Sequence, residues 1–191
     1  MYAALTRQAI LEAAAKLFVS QGFDGTSVDD LAHESQLSKG AVYHHFQDKK
    51  QIFEEVYRVA AEGVITSVVQ ATIQPDLIEP WDRANAAVRA AIQTYAAQPD
   101  MRSLLRQVVG VLGEERTRAL DGEVAMPLIR GLLEELNALG QLQPVDIPIT
   151  ALMVFRLLSE SSLAIALSGN PGEQARRVEV SVLTLLSGLR A

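Results

Sequence analysis

Residues 35–50 read SQLSKGAVYHHFQDKK, and three lysines in this stretch, Lys39, Lys49 and Lys50, directly follow residues of helix N-cap type, Ser38 and Asp48. The N-terminus of a helix already carries about half a positive charge, so a cation in the first turn has the wrong sign for helix stability. Sequences break a local rule of this kind at functional sites, and the natural ligand of a positive helix end is phosphate.

The pattern extends in both directions. Upstream, Ile10, Ala13, Ala14, Leu17 and Phe18 recur at the helical period, which predicts a first helix from roughly Arg7 to Gln21, stopped at Gly22 and Phe23. Ser27 with Asp30 three residues later is a capping-box start, and Val28, Leu31 and Ala32 form the apolar face of a second, two-turn helix. Ser38 starts a third short helix to about Phe46, and Asp48 with Gln51 resembles another capping box that opens a longer fourth. Two short helices joined by the tight turn ESQLS form a helix-turn-helix, whose second helix enters the DNA major groove with its N-terminal residues toward the bases. Lys39, Lys49 and Lys50 then add full charges to amide-rich helix ends that attract anions. Tyr43 and His45 extend that surface with side-chain donors, Gly40 and Ala41 leave room for close approach to base edges, and Val42 and Phe46 point into a small core. Any one of these lysines taken alone reads more readily as ordinary solvated surface, and Tyr43 alone as a core-edge tyrosine; their conjunction in register carries the argument. Adjacent His44 and His45 point in different directions on a helix and lack further ligands, so no metal is expected.

SKGAVYHHFQDKKQIF together with TSVDDLAHESQL resembles the DNA-binding domain of the TetR family of bacterial transcriptional regulators, over about Thr6 to Tyr57. The resemblance implies that Ser27, Tyr43, His45 and Lys49 hold phosphates, that Lys39, Gly40, Ala41 and His44 face the bases, and that Ser38 lies among these contacts. It also implies a C-terminal helical domain with a ligand cavity and a dimer interface made by the last two helices. In the turn, Ser35 and Gln36 stand where the family has alanine then glycine; positive φ at Gln36 would cost about 1 kcal/mol.

Composition sets limits on these readings. The chain has 191 residues, is 49% hydrophobic, and is rich in alanine, leucine and valine with only 5% aromatics, which favours an all-α fold. A net charge of −6 excludes coating of nucleic acid by bulk attraction, so DNA contact must be local. No cysteine is present, the N-terminus shows no basic-then-apolar leader, and no apolar run looks long enough for a membrane span, which together suggest a cytoplasmic protein. No catalytic triad, phosphate-cradling glycine loop or metal cluster is legible, so an enzyme is not expected, nor any cofactor.

After Ile52 the chain reads as helices separated by QPDLIEP, QPDM, LGEE, an Asp121–Gly122 pair, GQLQPVDIP and SGNPG, with a kink or short break expected between Gly113 and Pro127. Asp146 with Pro148 and Asn170 with Pro171 start the two final helices. The first of them is apolar nearly all round, and the second carries Val178, Val182, Leu185, Leu186 and Leu189 on one stripe; this excess of apolar surface predicts a two-fold dimer. We expect a DNA-binding head over residues 1–50 and a ligand-binding and dimerisation domain over 51–191. Candidate cavity residues are Phe53, Tyr57, Trp81, Val88, Ile92, Tyr95, Leu105, Val108, Met126, Ile129 and Met153, although a methionine or aromatic at helical spacing is more often plain core. Gln107, Glu160, Arg156 and Ser161 are polar residues on otherwise apolar helices, and Arg156 and Glu160 are spaced to pair with each other. The expected function is a homodimeric regulator, read as a repressor, that binds a near-palindromic duplex operator and is released by a small, largely apolar organic effector. A regulator of the same fold without a small ligand, and an activator, are the alternatives.

Overall fold

The computed structural model describes residues 2–191, all of whose regular elements are helices: α1 Tyr2–Ser20, α2 Gly22–Gly25, α3 Val28–Glu34, α4 Lys39–His45, α5 Lys49–Thr72, α6 Pro80–Ala97, α7 Pro99–Leu112, α8 Glu114–Ala138, α9 Ile147–Leu167 and α10 Pro171–Ser187. The all-α expectation holds. The side chains within the N-terminal helices pack inward through Ile10, Phe18, Leu31, Val42 and Phe46, each at most 2% exposed. Ile52 and Phe53 of α5 complete this small core, and the rings of Phe18, Phe23 and Phe53 meet one another at centroid distances of 5.2–5.8 Å.

Local chemistry sets the helix ends. Ser27 and Asp30 form the full capping box, while Ser38, Asp48, Asp146 and Asn170 each accept the backbone N–H three residues on. The second box is only half made. Asp48 accepts from Gln51 N–H, but the Gln51 side chain accepts from Gln47 N–H at 2.7 Å instead of reaching back to Asp48. Gln36 takes φ 57° and ends α3 in a Schellman pattern: Leu37 N–H donates to Ala32 O at 2.9 Å and Gln36 N–H to His33 O at 3.1 Å. Leu37 then packs on the core. A residue with a Cβ is tolerated there because two backbone bonds and a hydrophobic contact hold the turn.

Three expectations need correction. The chain does not break at Asp121–Gly122: α8 runs unbroken from Glu114 to Ala138 with Pro127 inside it, and the break sits at Gly113, whose φ of 87° suits glycine. Burial of Leu120, Leu133 and Leu136 outweighs the propensity cost of the interior glycine and proline. The first helix starts at Tyr2 rather than near Arg7. Finally, α9 is by length and composition apolar enough to cross a membrane, contrary to the reading of short apolar runs. Here it packs against α6, α7, α8 and α10.

The long helix α5 belongs to both ends of the molecule. Its first turns close the small N-terminal core, and Ala61, Val64, Ile65 and Val68 further along line a cavity among α5, α6, α8 and α9. The C-terminal segment is tied in by an antiparallel pairing of Leu142 with Arg190, and Trp81 Nε1 donates to Gln141 O at 3.0 Å.

Candidate nucleic-acid interface and effector cavity

On α4 the side chains divide by face. Val42 is buried and Phe46 caps the helix into the core, whereas Lys39, Gly40, Tyr43 and His44 are exposed and Ala41 and His45 half-buried. Spacings of three and four place Lys39 beside Tyr43, and Gly40 beside Tyr43 and His44, on one outward strip. A Cβ added at Gly40 would meet only the Ser38 hydroxyl, at 3.8 Å, so nothing inside the protein requires glycine at this exposed helical position. Glycine there costs helix stability and removes bulk from the surface. The rings of His44 and His45 stand 5.2 Å apart and nearly perpendicular. No cluster of three metal-ligating side chains occurs among the described residues.

The cations of this region are not equivalent. Lys39 reaches from the start of α4 to Asp29 in the first turn of α3, at 2.9 Å, and both groups are exposed; hydrogen bonding to Asp29 pushes the Lys39 ammonium above its usual range. Lys49 is half-buried and turns back into the protein. Its Nζ donates to Phe23 O and Thr26 O, both at 2.7 Å, and lies 4.1 Å from the centroid of the Phe23 ring. Two of its three N–H groups thus satisfy carbonyls at the end of α2, leaving one. Lys50 is exposed and makes no ion pair among the described residues. The Ser27 hydroxyl donates to the Asp30 carboxylate at 2.6 Å while accepting from Asp30 N–H at 3.1 Å. The hydroxyl bond first, and then the Ser27 backbone N–H that donates to the same carboxylate at 2.8 Å, hold the Asp30 carboxyl below its usual range. Arg7 was not singled out from the sequence; it pairs with Glu55 at 3.0 Å and stands over the Phe46 ring, tying α1 to α5 across the end of α4.

The cavity has a volume of about 150 Å³. Of the residues expected there, Trp81, Val88, Tyr95, Leu105 and Ile129 line it. Others do not. Phe53 belongs to the N-terminal core, and Ile92 and Val108 are buried in clusters outside the lining. Met126 lies in a shallow surface groove with Gly122, Pro127 and Arg130. Met153 is 66% exposed, and Arg156 and Glu160 are exposed with no ion pair between them; Arg156 stands over the Phe155 ring instead. Ser161 is buried with its hydroxyl donating to Leu157 O at 2.6 Å. Helical spacing fixes a face but not its partner, so core, cavity and exterior look alike in a periodic pattern.

Two polar residues take unexpected parts. Gln107, read as a cavity residue, clamps the N-terminal helices to α7: its Oε1 accepts from Phe23 N–H at 2.7 Å and its Nε2 donates to Phe18 O at 3.0 Å. Asp121, read only as a helix interruption, projects into the cavity and accepts from the Tyr57 hydroxyl of α5 at 2.8 Å. Burial pushes the Asp121 carboxyl up to about 6, the Tyr57 bond opposing it. Burial, with Asp121 adding to it, also pushes both Tyr57 and Tyr95 above the usual phenol range. Further along the α5–α8 seam, Arg116 pairs with Glu54, and Arg58 with Glu123 at 2.9 Å. Asp121 was missed because an Asp–Gly pair ordinarily marks a turn. Its one local signal was its place beside the buried Leu120 in an otherwise helical pattern.

A helix-turn-helix with an outward polar strip, carried on a helical body with a cavity, defines a DNA-binding regulator. Residues 10–56 match the model of bacterial regulatory proteins of the tetR family, and residues 81–189 match the tetracyclin repressor-like C-terminal domain. The chain belongs to the TetR family of transcriptional regulators, which bind DNA and are not enzymes. Among curated relatives, the transcriptional repressor BepR of Brucella suis is 28% identical over 148 residues, covering 73% of this chain and 70% of BepR. The regulator AcrR of Shigella flexneri is 37% identical over 59 residues, only 31% of this chain and 27% of AcrR. A TetR-family regulator from Pectobacterium atrosepticum has a crystal structure that superposes with a TM-score of 0.82 at 26% identity, covering 100% of this chain and 96% of that one.

Proposed function

We propose that the protein is a cytoplasmic homodimeric repressor, with the α3–α4 head at residues 1–50 gripping a near-palindromic operator and a small organic ligand in the core at residues 51–191 releasing it. The observation that carries this reading is the outward strip Lys39, Gly40, Tyr43 and His44 on a helix whose other face is locked into the core. Lys39, Gly40, Ala41 and His44 face base edges, while Tyr43, His45, Lys50 and the remaining N–H of Lys49 hold phosphates, with Ser27 and Ser38 at the flanking helix starts. Lys50 joins the phosphate set because it is the unpaired cation at the start of α5. Repression is supported by the kinship to BepR, and a ligand by the apolar cavity.

A dimer is supported by apolar side chains left uncovered on the last two helices: Ile149, Leu152, Met153 and Leu167 on α9, and Val180 and Leu185 on α10, each at least 48% exposed. Leu185 is thus an exposed member of the apolar stripe read on this helix, whereas Val182 of the same stripe is buried. Two-fold symmetry would set the recognition helices for successive major grooves about 34–36 Å apart. The ligand must favour the spacing of the heads that does not fit DNA, since equal affinity for both spacings shifts nothing. Helix α5 is the physical link, as it starts beside the Lys49 clamp, bonds Asp121 through Tyr57 and then lines the cavity.

The test is selection of bound fragments from the source genome, footprinting of the operator, and sedimentation of the free protein. Tyr43→Ala is expected to weaken binding across operator sequences, and Lys39→Ala to relax sequence preference while leaving the melting temperature unchanged. Unaltered binding by both variants, or a 20.7 kDa species alone at micromolar concentration, overturns the reading.

A further inference from the structure

We propose that the cavity is a receptor for a small organic cation, an amine about one aromatic ring in size, with its apolar body beside Trp81, Val88 and Leu128 and its ammonium on Asp121. This rests on the reading above that the cavity takes a ligand, and it assigns that ligand a chemistry.

The charge pattern of the wall is the first ground. Among the described residues Asp121 is the only charged side chain lining the cavity, and no lysine, arginine or histidine does. The nearby guanidiniums are already engaged on the α5–α8 seam, Arg116 with Glu54 and Arg58 with Glu123. The other polar lining groups besides the Trp81 N–H, which serves Gln141, are Asn85, Tyr95, Ser159 and Ser162, all neutral, and Ser162 gives its one proton to Leu158 O at 2.8 Å. A carboxylate offers about four acceptor positions, and protein fills one of these here, the bond from Tyr57. The burial that holds Asp121 at about 6 makes its charged form costly, and that form predominates at neutral pH. An anion entering the cavity meets this charge with nothing to offset it. A neutral apolar molecule leaves it unrelieved. An ammonium pairs with it in a poorly solvated setting, where a charge-assisted hydrogen bond is about twice as strong as a neutral one.

Size is the second ground. Apolar cavities of about 150 Å³ admit a benzene-sized molecule, and this cavity has that volume. Apart from these polar groups the wall is Ala, Val, Leu, Ile, Phe and Trp, which suits a ring beside the ammonium.

Trp81 is the single tryptophan of the chain and lines the cavity, so its fluorescence reports occupancy directly. The 191-residue chain is titrated at about pH 7.5 with benzylamine, benzyl alcohol and benzoate, three one-ring probes that differ in charge. Benzylamine is expected to bind at least about tenfold more tightly than benzyl alcohol, and benzoate not to bind. Asp121→Asn is expected to retain benzyl alcohol, which shows an intact cavity, and to bring benzylamine within about twofold of it. Tyr57→Phe, which removes the competing donor and leaves the carboxylate, should bind benzylamine as tightly as the parent or more so. Benzyl alcohol or benzoate binding as tightly as benzylamine, or an amine preference untouched in Asp121→Asn, overturns the cation assignment and leaves the ligand cavity standing. If none of the three probes perturbs Trp81, the assignment falls together with the reading of the cavity as a ligand site.

Discussion

The N-terminal head and the C-terminal body place their polar groups in opposite ways. In the head, polar side chains sit at helix ends and at the surface, partnered with residues mostly three or four positions away: Ser27 with Asp30, Ser38 with Ala41, Asp48 with Gln51. In the body, the informative polar groups are sparse, buried or half-buried, and partnered across the sequence: Tyr57 with Asp121, Gln107 with Phe18 and Phe23. The difference teaches that the head is built by local rules and then shown outward, whereas the body is built by long-range contacts that face inward. Lysines are the exceptions in the head: Lys16 pairs with Glu34 and Lys39 with Asp29, and Lys49 goes further. It reaches across 26 and 23 residues to the carbonyls of Phe23 and Thr26.

Lys49 therefore offers the largest test of this contrast. Hydrogen bonds from a charged donor contribute about 1.5–3 kcal/mol each, so Lys49→Ala is expected to destabilise the head by a few kcal/mol as well as weaken operator binding. Lys50→Ala should leave denaturant stability intact and reduce the salt dependence of operator binding by about one counterion. If Lys49→Ala changes only DNA affinity, the ammonium is a phosphate contact first and the clamp is incidental. Next in size is Gln107→Leu, which leaves Phe23 N–H without its side-chain partner at the seam between head and body; a loss of about 1–3 kcal/mol is expected. Faster amide exchange at Phe23, with little change in α9 and α10, would localise that loss to the seam.

An effect of comparable size concerns pH. Asp121 stands at about 6, above its ordinary value of 3.8, because burial disfavours its charge. Between these two values the folded protein holds a proton that the unfolded chain has released, so this group lowers stability as pH rises through that window and adds no further change above it. Thermal melts of Asp121→Asn should match the parent below about pH 4 and exceed it at about pH 8. The reverse order would mean that the carboxylate is stabilised by its surroundings. The smallest expected effect is in the head: Gln36→Gly relieves the positive φ and should raise stability by up to about 1 kcal/mol, with operator binding unchanged.

The helical class, the helix-turn-helix and most helix starts were legible in the residues alone. Those follow from capping and periodicity, which act over three or four residues and can be read without knowing what lies across the interface. Lys39, Gly40 and Tyr43 were legible for the same reason, as the complement of Val42 and Phe46 on one short helix, whereas His44 entered only through the family resemblance and His45, read onto the same surface, is half-buried. Tertiary structure decided the rest. It carried α8 through Asp121, Gly122 and Pro127 because packing of Leu120, Leu133 and Leu136 outweighs local preference. It sent Lys49 inward, turned Gln107 from a cavity residue into a clamp, exposed Met153 and brought Asp121 to the cavity wall. Each of these depends on which helices become neighbours, and a periodic pattern names the buried face of a helix without naming what is pressed against it.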